Sequence, residues 1–267
     1  MINSIHDFRI FNPNYLDFAK QIRVKHIDDW KYEYFKLTDN IGYWLAESPF
    51  YDDGFEKFKS FVSQCPICHL NNEEMCDDSN PFSTIHLPHW SYSAIINLIK
   101  QFYDREIYGN NYIHNPTQSE WGNIFDSSIS KPLKWSAFPH LDYAYGIVGN
   151  MWFTNHNLED TGTALYEYSG KIYNIHYDFM VDKSHPLYED WQKIYNNERS
   201  PNWLTISQNE LEKWGFKRVG IVPTKYNGMS LYKSNVPHNP YITERCKFRW
   251  SHTFAFSHEK FIVNTSL

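Results

Sequence analysis

A chain of 267 residues with 25 basic and 31 acidic side chains carries a formal charge of −6, which leaves no basic excess for neutralising phosphates. That excludes general affinity for nucleic acid or for an anionic membrane surface. Its 10 Trp, 20 Tyr and 19 Phe exclude a disordered chain and favour strands around a large core.

The first nine residues, Met1 to Arg9, lack the apolar stretch of a signal peptide. No apolar run reaches the length of a membrane-spanning helix. Four cysteines are too few to frame a chain of this size with disulfides. The expectation is a cytoplasmic protein in a reducing compartment. No repeat, low-complexity tract or linker divides the chain. We therefore expect one domain over 1–267: residues 1–134 as helical and strand support, and 135–256 as the core.

In chain order, Phe8 to Phe11 is a short apolar run closed by the turn signal Asn12-Pro13-Asn14. Tyr15 to Val24 has the apolar positions of a short helix in Leu16, Phe18, Ala19 and Ile22. Ser48-Pro49 reads as a helix start, followed at helical spacing by Phe50, Phe55, Phe58, Phe61 and Val62. Cys65-Pro66-Ile67-Cys68-His69 has the spacing of a c-type haem attachment signature, whose chemistry needs export to an oxidising compartment. Zinc held by Cys65, Cys68, Cys76 and a histidine is the alternative, without the second paired half that strong zinc patterns have. Ordinary thiols at a helix end and loop suit the segment as well. His86 and His89 read as structural or solvated loop histidines before a second helix, about Ser91 to Asp104, with Ala94, Ile95, Leu98, Ile99 and Phe102 on one face. Residues 105–134 are rich in Asn, Ser and Pro and read as loop with short strands at most.

Beyond Trp135 the pattern turns to strands. Tyr145–Thr154 and Thr163–Tyr168, separated by the polar turn Asn155–Gly162, read as a hairpin. A helical insertion near 171–215 interrupts, with Leu187, Trp191, Ile194 and Tyr195 at helical spacing. Within it, Ser207-Gln208-Asn209-Glu210 is a capping box and Gly215 a stop. The insertion serves either as a lid over a pocket or as a cap on a sheet edge. Strands resume at Lys217–Val222, Gly228–Lys233 and Phe248–Phe256.

Three His-x-Asp pairs occur: His26/Asp28, His140/Asp142 and His176/Asp178. Residues two apart on a strand share a face, so such a pair can aim an imidazole and a carboxylate at one point. A third ligand completes the two-histidine, one-carboxylate set that holds a non-haem iron and leaves positions open. His26/Asp28 sits among charges, and His176/Asp178 leads into the polar insertion. Only His140/Asp142 is followed at once by a clear strand pair, and Pro139 forces an extended approach to it. His238 is the candidate third ligand. Arg249 and Ser251 share a face of the last strand. An inward arginine there is costly unless paired, and a dicarboxylate co-substrate would supply the partner through a two-pronged contact. The alternative is that Arg249 points to solvent or pairs with an internal acid. Trp135, Phe138, Tyr143, Tyr145 and Trp152 either line a pocket or fill the core.

The segments Pro139-His140-Leu141-Asp142, Gly162-Thr163-Ala164-Leu165-Tyr166, Asn227-Gly228-Met229-Ser230-Leu231-Tyr232 leading to His238, and Arg249-Trp250-Ser251 resemble the iron(II)/2-oxoglutarate-dependent oxygenases. Within these they are most similar to the prolyl-hydroxylase-like branch and bacterial relatives of unassigned function. The resemblance spans 135–256. It implies a mainly β fold with helical additions (α+β) around a double-stranded β-helix, the jelly-roll or cupin-like core. It also implies iron(II) on His140, Asp142 and His238, and 2-oxoglutarate on Arg249 and Ser251. The implied reaction takes O2 and a small-molecule, amino-acid or peptide-like substrate, and couples hydroxylation to decarboxylation of 2-oxoglutarate to succinate. A carboxylate at Asp142 favours hydroxylation or desaturation over halogenation. The chain departs from the pattern at Thr161-Gly162, where a glycine pair is often found, and in its long insertion. The rival readings are a non-catalytic cupin-like binding protein and a metal-dependent isomerase or hydrolase that makes no use of 2-oxoglutarate. Neither needs an arginine beside the metal. Neither the substrate nor the oligomeric state is encoded legibly.

Overall fold

Alternating and continuous apolar runs commit most of the chain to strands, because side chains on a strand alternate between two faces. The computed structural model describes residues 23–64, 67–68, 83–85, 102, 121–126, 139, 141, 147–153, 158–169, 172–175, 178–181, 183–184, 188–189, 208–241 and 250–256. In chain order these residues form strands β1 (Lys31–Lys36) and β2 (Gly42–Glu47), helix α1 (Asp52–Gln64), and strands β3 (Ile67–Cys68), β4 (Ser83–Ile85) and β5 (Trp121–Asp126). Then follow β6 (Ile147–Trp152), β7 (Leu158–Tyr168), β8 (Ile172–Ile175) and β9 (Asp178–Val181). Helix α2 (Gln208–Lys213) precedes β10 (Phe216–Thr224), β11 (Gly228–Lys233), β12 (His238–Tyr241) and β13 (Trp250–Phe256).

The strands form an eight-stranded sheet in the order β1-β2-β11-β6-β13-β5-β4-β3, a three-stranded sheet β10-β7-β12, and the pair β8-β9. Every strand pairing is antiparallel. The protein is thus mainly β, with few helices among the described residues. No helix among them is long and apolar enough to cross a membrane.

From β6 onward the chain passes back and forth between the two larger sheets. Strands β6, β11 and β13 lie in the eight-stranded sheet, and β7, β10 and β12 in the three-stranded one. This corrects the hairpin expected of Tyr145–Thr154 and Thr163–Tyr168. Strand β6 has β11 on one edge and β13 on the other, so no edge is left for β7. The seam between the sheets is a core of Ile41, Tyr43, Leu45, Val148, Leu165, Val222, Tyr232 and Val236. A second core, Leu141, Ala164, Tyr166, Leu211, Trp214 and Phe216, covers the other face of the smaller sheet. Leu211 and Trp214 bring α2 onto that face, and Gly215 ends the helix at φ 88°, a left-handed conformation natural to glycine.

Helix α1 starts later than Ser48-Pro49 suggests. The Lys25 N–H donates to the Pro49 carbonyl at 3.0 Å and the Tyr51 N–H to Arg23 at 3.1 Å. Residues 49–51 are therefore held extended, with Phe50 bridged to Val24, and the helix opens at Asp52 and Asp53, acids suited to its positive end. Val24 is accordingly not helical, and the rest of the helix expected at 15–24 lies outside the described residues apart from Arg23. Phe50, Phe55, Phe58 and Phe153 pack ring against ring at centroid distances of 5.5–6.0 Å, fastening α1 beside the end of β6. The segment near 171–215 is not helical throughout: it opens with the β8-β9 hairpin, and Asp178 is the first residue of β9. Strands β1 and β2 stand where no element was expected, and β5 extends to six residues within 105–134. Of the helix expected over 91–104 only Phe102 is described. It is buried against Trp30, Tyr32 and Trp44.

Gly162 shows why a small residue precedes Thr163. Its β-carbon would meet the Val222 carbonyl oxygen at 1.8 Å, where the β7-β10 register shifts at Pro223 and Thr224. That close approach admits only glycine.

Candidate functional site

Register sorts the side chains into inward and outward sets, because directly opposed residues in an antiparallel pair share a face. In the larger sheet Val148 opposes Tyr232, Asn150 opposes Ser230 and Thr253, and Trp152 opposes Ser251. Val148 and Tyr232 belong to the core between the sheets, so Asn150, Trp152, Ser230 and Ser251 lie on the inward face with them. In the smaller sheet Leu165 opposes His238 and Thr163 opposes Pro240, and Leu165 is in the same core. His238 therefore faces inward from β12.

The fixing of His238 is unusually complete for one side chain. It is 4% exposed. Its Nδ1 lies 2.9 Å from the Val236 carbonyl oxygen. A carbonyl can only accept, so Nδ1 is the donor in this contact. Tyr232 packs against the ring in a T-shaped contact, with centroids 5.0 Å apart and planes at 66°. The residues on either side of His238 are anchored as well. The Tyr166 N–H donates to the Pro237 carbonyl at 2.9 Å, and the Tyr166 hydroxyl donates to Asn239 Oδ1 at 3.0 Å.

A chain of polar groups runs across the seam. Asn150 Nδ2 donates to Thr163 Oγ1 at 3.3 Å and to the Tyr232 hydroxyl at 3.5 Å. The Ser230 hydroxyl donates to the Asn150 carbonyl at 3.4 Å. Asn150, Thr163, Ser230 and Ser251 are all buried. Buried polar groups need such partners, since each unsatisfied one costs about 1–3 kcal/mol. Sequence reasoning assigned no role to Asn150, Thr163 or Tyr232. The signal for the first was an asparagine at inward parity between Val148 and Trp152 in an otherwise apolar strand.

Of the five residues singled out from sequence, His238 and Ser251 are placed, and both face the space between the sheets. His140, Asp142 and Arg249 lie outside the described residues. Their neighbour Leu141 is described, packed with Ala164 and Tyr166 on the outward face of the smaller sheet, the sheet that carries His238. Trp152, one of the five aromatics that could line a pocket, is fully buried on the inward face beside Ser251. Trp135, Phe138, Tyr143 and Tyr145 lie outside the described residues. Cys65, Cys76, His69, His86 and His89 do too, and of Cys68 the structure gives the strand position alone. Among the described residues there is no group of three or more His, Cys, Asp or Glu that could hold a metal.

The other two His-x-Asp pairs are placed in part. His26 caps the turn Ile27–Asp29, and its Nδ1 lies 3.1 Å from Asp28 Oδ2 with the two side chains 67% and 69% exposed. That is a solvated surface pair. His176 lies outside the described residues.

No family model and no curated protein matches the chain. Seventeen chains of solved structures match it, among them the following two. One is HygX from Streptomyces hygroscopicus with nickel and 2-oxoglutarate bound, at 10% identity over 83% of this chain and 84% of that one, with a TM-score of 0.44. The other is the epimerase SnoN in complex with Fe3+, α-ketoglutarate and nogalamycin RO, at 9% identity over 82% of this chain and 79% of that one, with a TM-score of 0.45. At that distance, a functional reading has to rest on this chain's own residues.

Proposed function

We propose that the chain is an iron(II)- and 2-oxoglutarate-dependent oxygenase that hydroxylates a small-molecule, amino-acid or peptide-like substrate and converts 2-oxoglutarate to succinate. The observation that carries this reading is His238: a buried histidine, protonated at Nδ1 on a backbone carbonyl, facing the space between two sheets. A neutral imidazole held that way is the form that ligates a divalent metal through its other nitrogen. The passage of β6, β7, β10, β11, β12 and β13 between two facing sheets supports a double-stranded β-helix core, and we read 1–267 as one domain built on it.

His238 would share the metal with His140 and Asp142. Neighbours on an extended chain face opposite sides, so Leu141 packed on the outward face suits an inward pair at those two positions. Ser251, buried on the inward face of β13, would donate its hydroxyl to a carboxylate of 2-oxoglutarate, beside the guanidinium of Arg249. Bound iron and the keto acid supply the oxidising chemistry. The protein's part is to hold three ligands, bind the co-substrate's far carboxylate, and keep water from the reacting carbon.

The test is O2-dependent release of succinate from 2-oxoglutarate by the iron-loaded protein, over a panel of amino acids, peptides and small molecules. Asp142→Ala should abolish release. Arg249→Ala and, more weakly, Ser251→Ala should raise the KM for 2-oxoglutarate. Release that survives Asp142→Ala, or a KM indifferent to Arg249→Ala, would refute the assignment.

A further inference from the structure

The polar chain across the seam ends on the candidate metal ligand. Thr163 on β7, Asn150 on β6, Tyr232 on β11 and His238 on β12 touch in sequence, through hydrogen bonds of 3.3 and 3.5 Å and a ring contact of 5.0 Å. We infer that Asn150 and Tyr232 are positioning residues for His238: the amide fixes the phenol, and the phenol ring fixes the plane of the imidazole. The inference rests on the proposed metal role of His238.

The physical case has two parts. The Val236 carbonyl holds one ring nitrogen and so fixes the ring at one edge. Tyr232 adds a second, non-collinear contact at 66°, which bears on the plane of the ring. Tyr232 is itself 1% exposed, and its hydroxyl is held by an amide whose other hydrogen goes to the opposite sheet. Spacing between the sheets and orientation of the imidazole are therefore set by the same two side chains. Groups that orient a ligand in this way typically change metal affinity by about 10–100-fold when removed.

The experiment compares wild type, Tyr232→Leu, Asn150→Ala and a control, Phe58→Leu, whose ring on α1 packs against Phe50 and Phe153 away from the seam. Cobalt(II) is titrated into each metal-free protein, and thermal midpoints are recorded alongside. We expect about tenfold weaker cobalt binding in Tyr232→Leu and severalfold weaker binding in Asn150→Ala. Phe58→Leu should lose stability and keep wild-type affinity. Equal affinity in all four proteins, or an equal loss in the control, would overturn the inference. If wild type binds no cobalt, the metal reading fails, and the positioning of the ring is then decided by NMR of 15N-labelled histidine at fixed pH. His238 should show a single Nδ1-protonated form in wild type and averaged or doubled imidazole signals in Asn150→Ala and Tyr232→Leu. Imidazole signals unchanged from wild type in both variants would overturn it.

Discussion

At residue 26 and at residue 238 a histidine has its Nδ1 within hydrogen-bonding reach of a group two residues away. His26 meets Asp28 at 3.1 Å in open solvent, and His238 meets the Val236 carbonyl at 2.9 Å between two sheets. The first is a His-x-Asp pair and the second is not, yet the second has the burial and the single tautomer a metal ligand needs. Spacing alone thus identifies little. What separates the two regions is that a buried polar group must be satisfied in one geometry, whereas an exposed pair exchanges with water at little cost.

The largest effect should come from His238 itself. His238→Ala should remove metal-dependent turnover by more than the 10–100-fold typical of losing a ligand's outer partner, while His26→Ala leaves it unchanged. Next come the packed interiors, read by urea unfolding. Phe58→Ala should cost about 3–5 kcal/mol, and Asn150→Ala about 1–3 kcal/mol by removing its buried hydrogen bonds to Thr163 and Tyr232. Gly162→Ala should cost about 1–3 kcal/mol, because the added methyl has no room before the Val222 carbonyl. An Asn150→Ala protein as stable as wild type would erase the distinction between the seam and the surface.

Smaller effects are pH-dependent. Burial pushes the Tyr168 hydroxyl, packed on Phe216 at 4.6 Å, from 10.0 up to about 12. Its neutral form favours the folded state, so its contribution is complete below pH 10 and is lost as the pH rises from 10 to about 12. Tyr168→Phe should flatten stability over that window. Arg23 lies 2.7 Å from Asp53 at the surface and holds that carboxyl below its usual range. This contribution is present above the ordinary carboxylate pKa and fades as the pH falls through the lowered one. Being exposed, it should be the smallest effect and should disappear in high salt.

Legibility in the sequence followed the same division. Gly228–Lys233 was bounded correctly, because five buried residues in a row closed by the exposed Lys233 leave a legible pattern. The stop at Gly215 was visible because a positive φ demands glycine. The β6-β7 hairpin was wrong because partner choice depends on which edges are already filled, and that is a property of the whole sheet. Strand β1 carries Lys and Glu along a partly exposed edge, so its alternation resembles a surface loop. His238 was singled out through its place downstream of the His140/Asp142 motif. Asn150 and Tyr232 were not assigned roles, since a contact between opposite sheets has no fixed spacing along the chain.

The central claim is most directly tested by anaerobic addition of iron(II) and 2-oxoglutarate, with the weak visible charge-transfer band of the ternary complex as readout. The band should form in wild type and in His26→Ala, and be absent from His140→Ala and His238→Ala. A wild-type protein without the band, or a His238→Ala protein that retains it, would contradict the account.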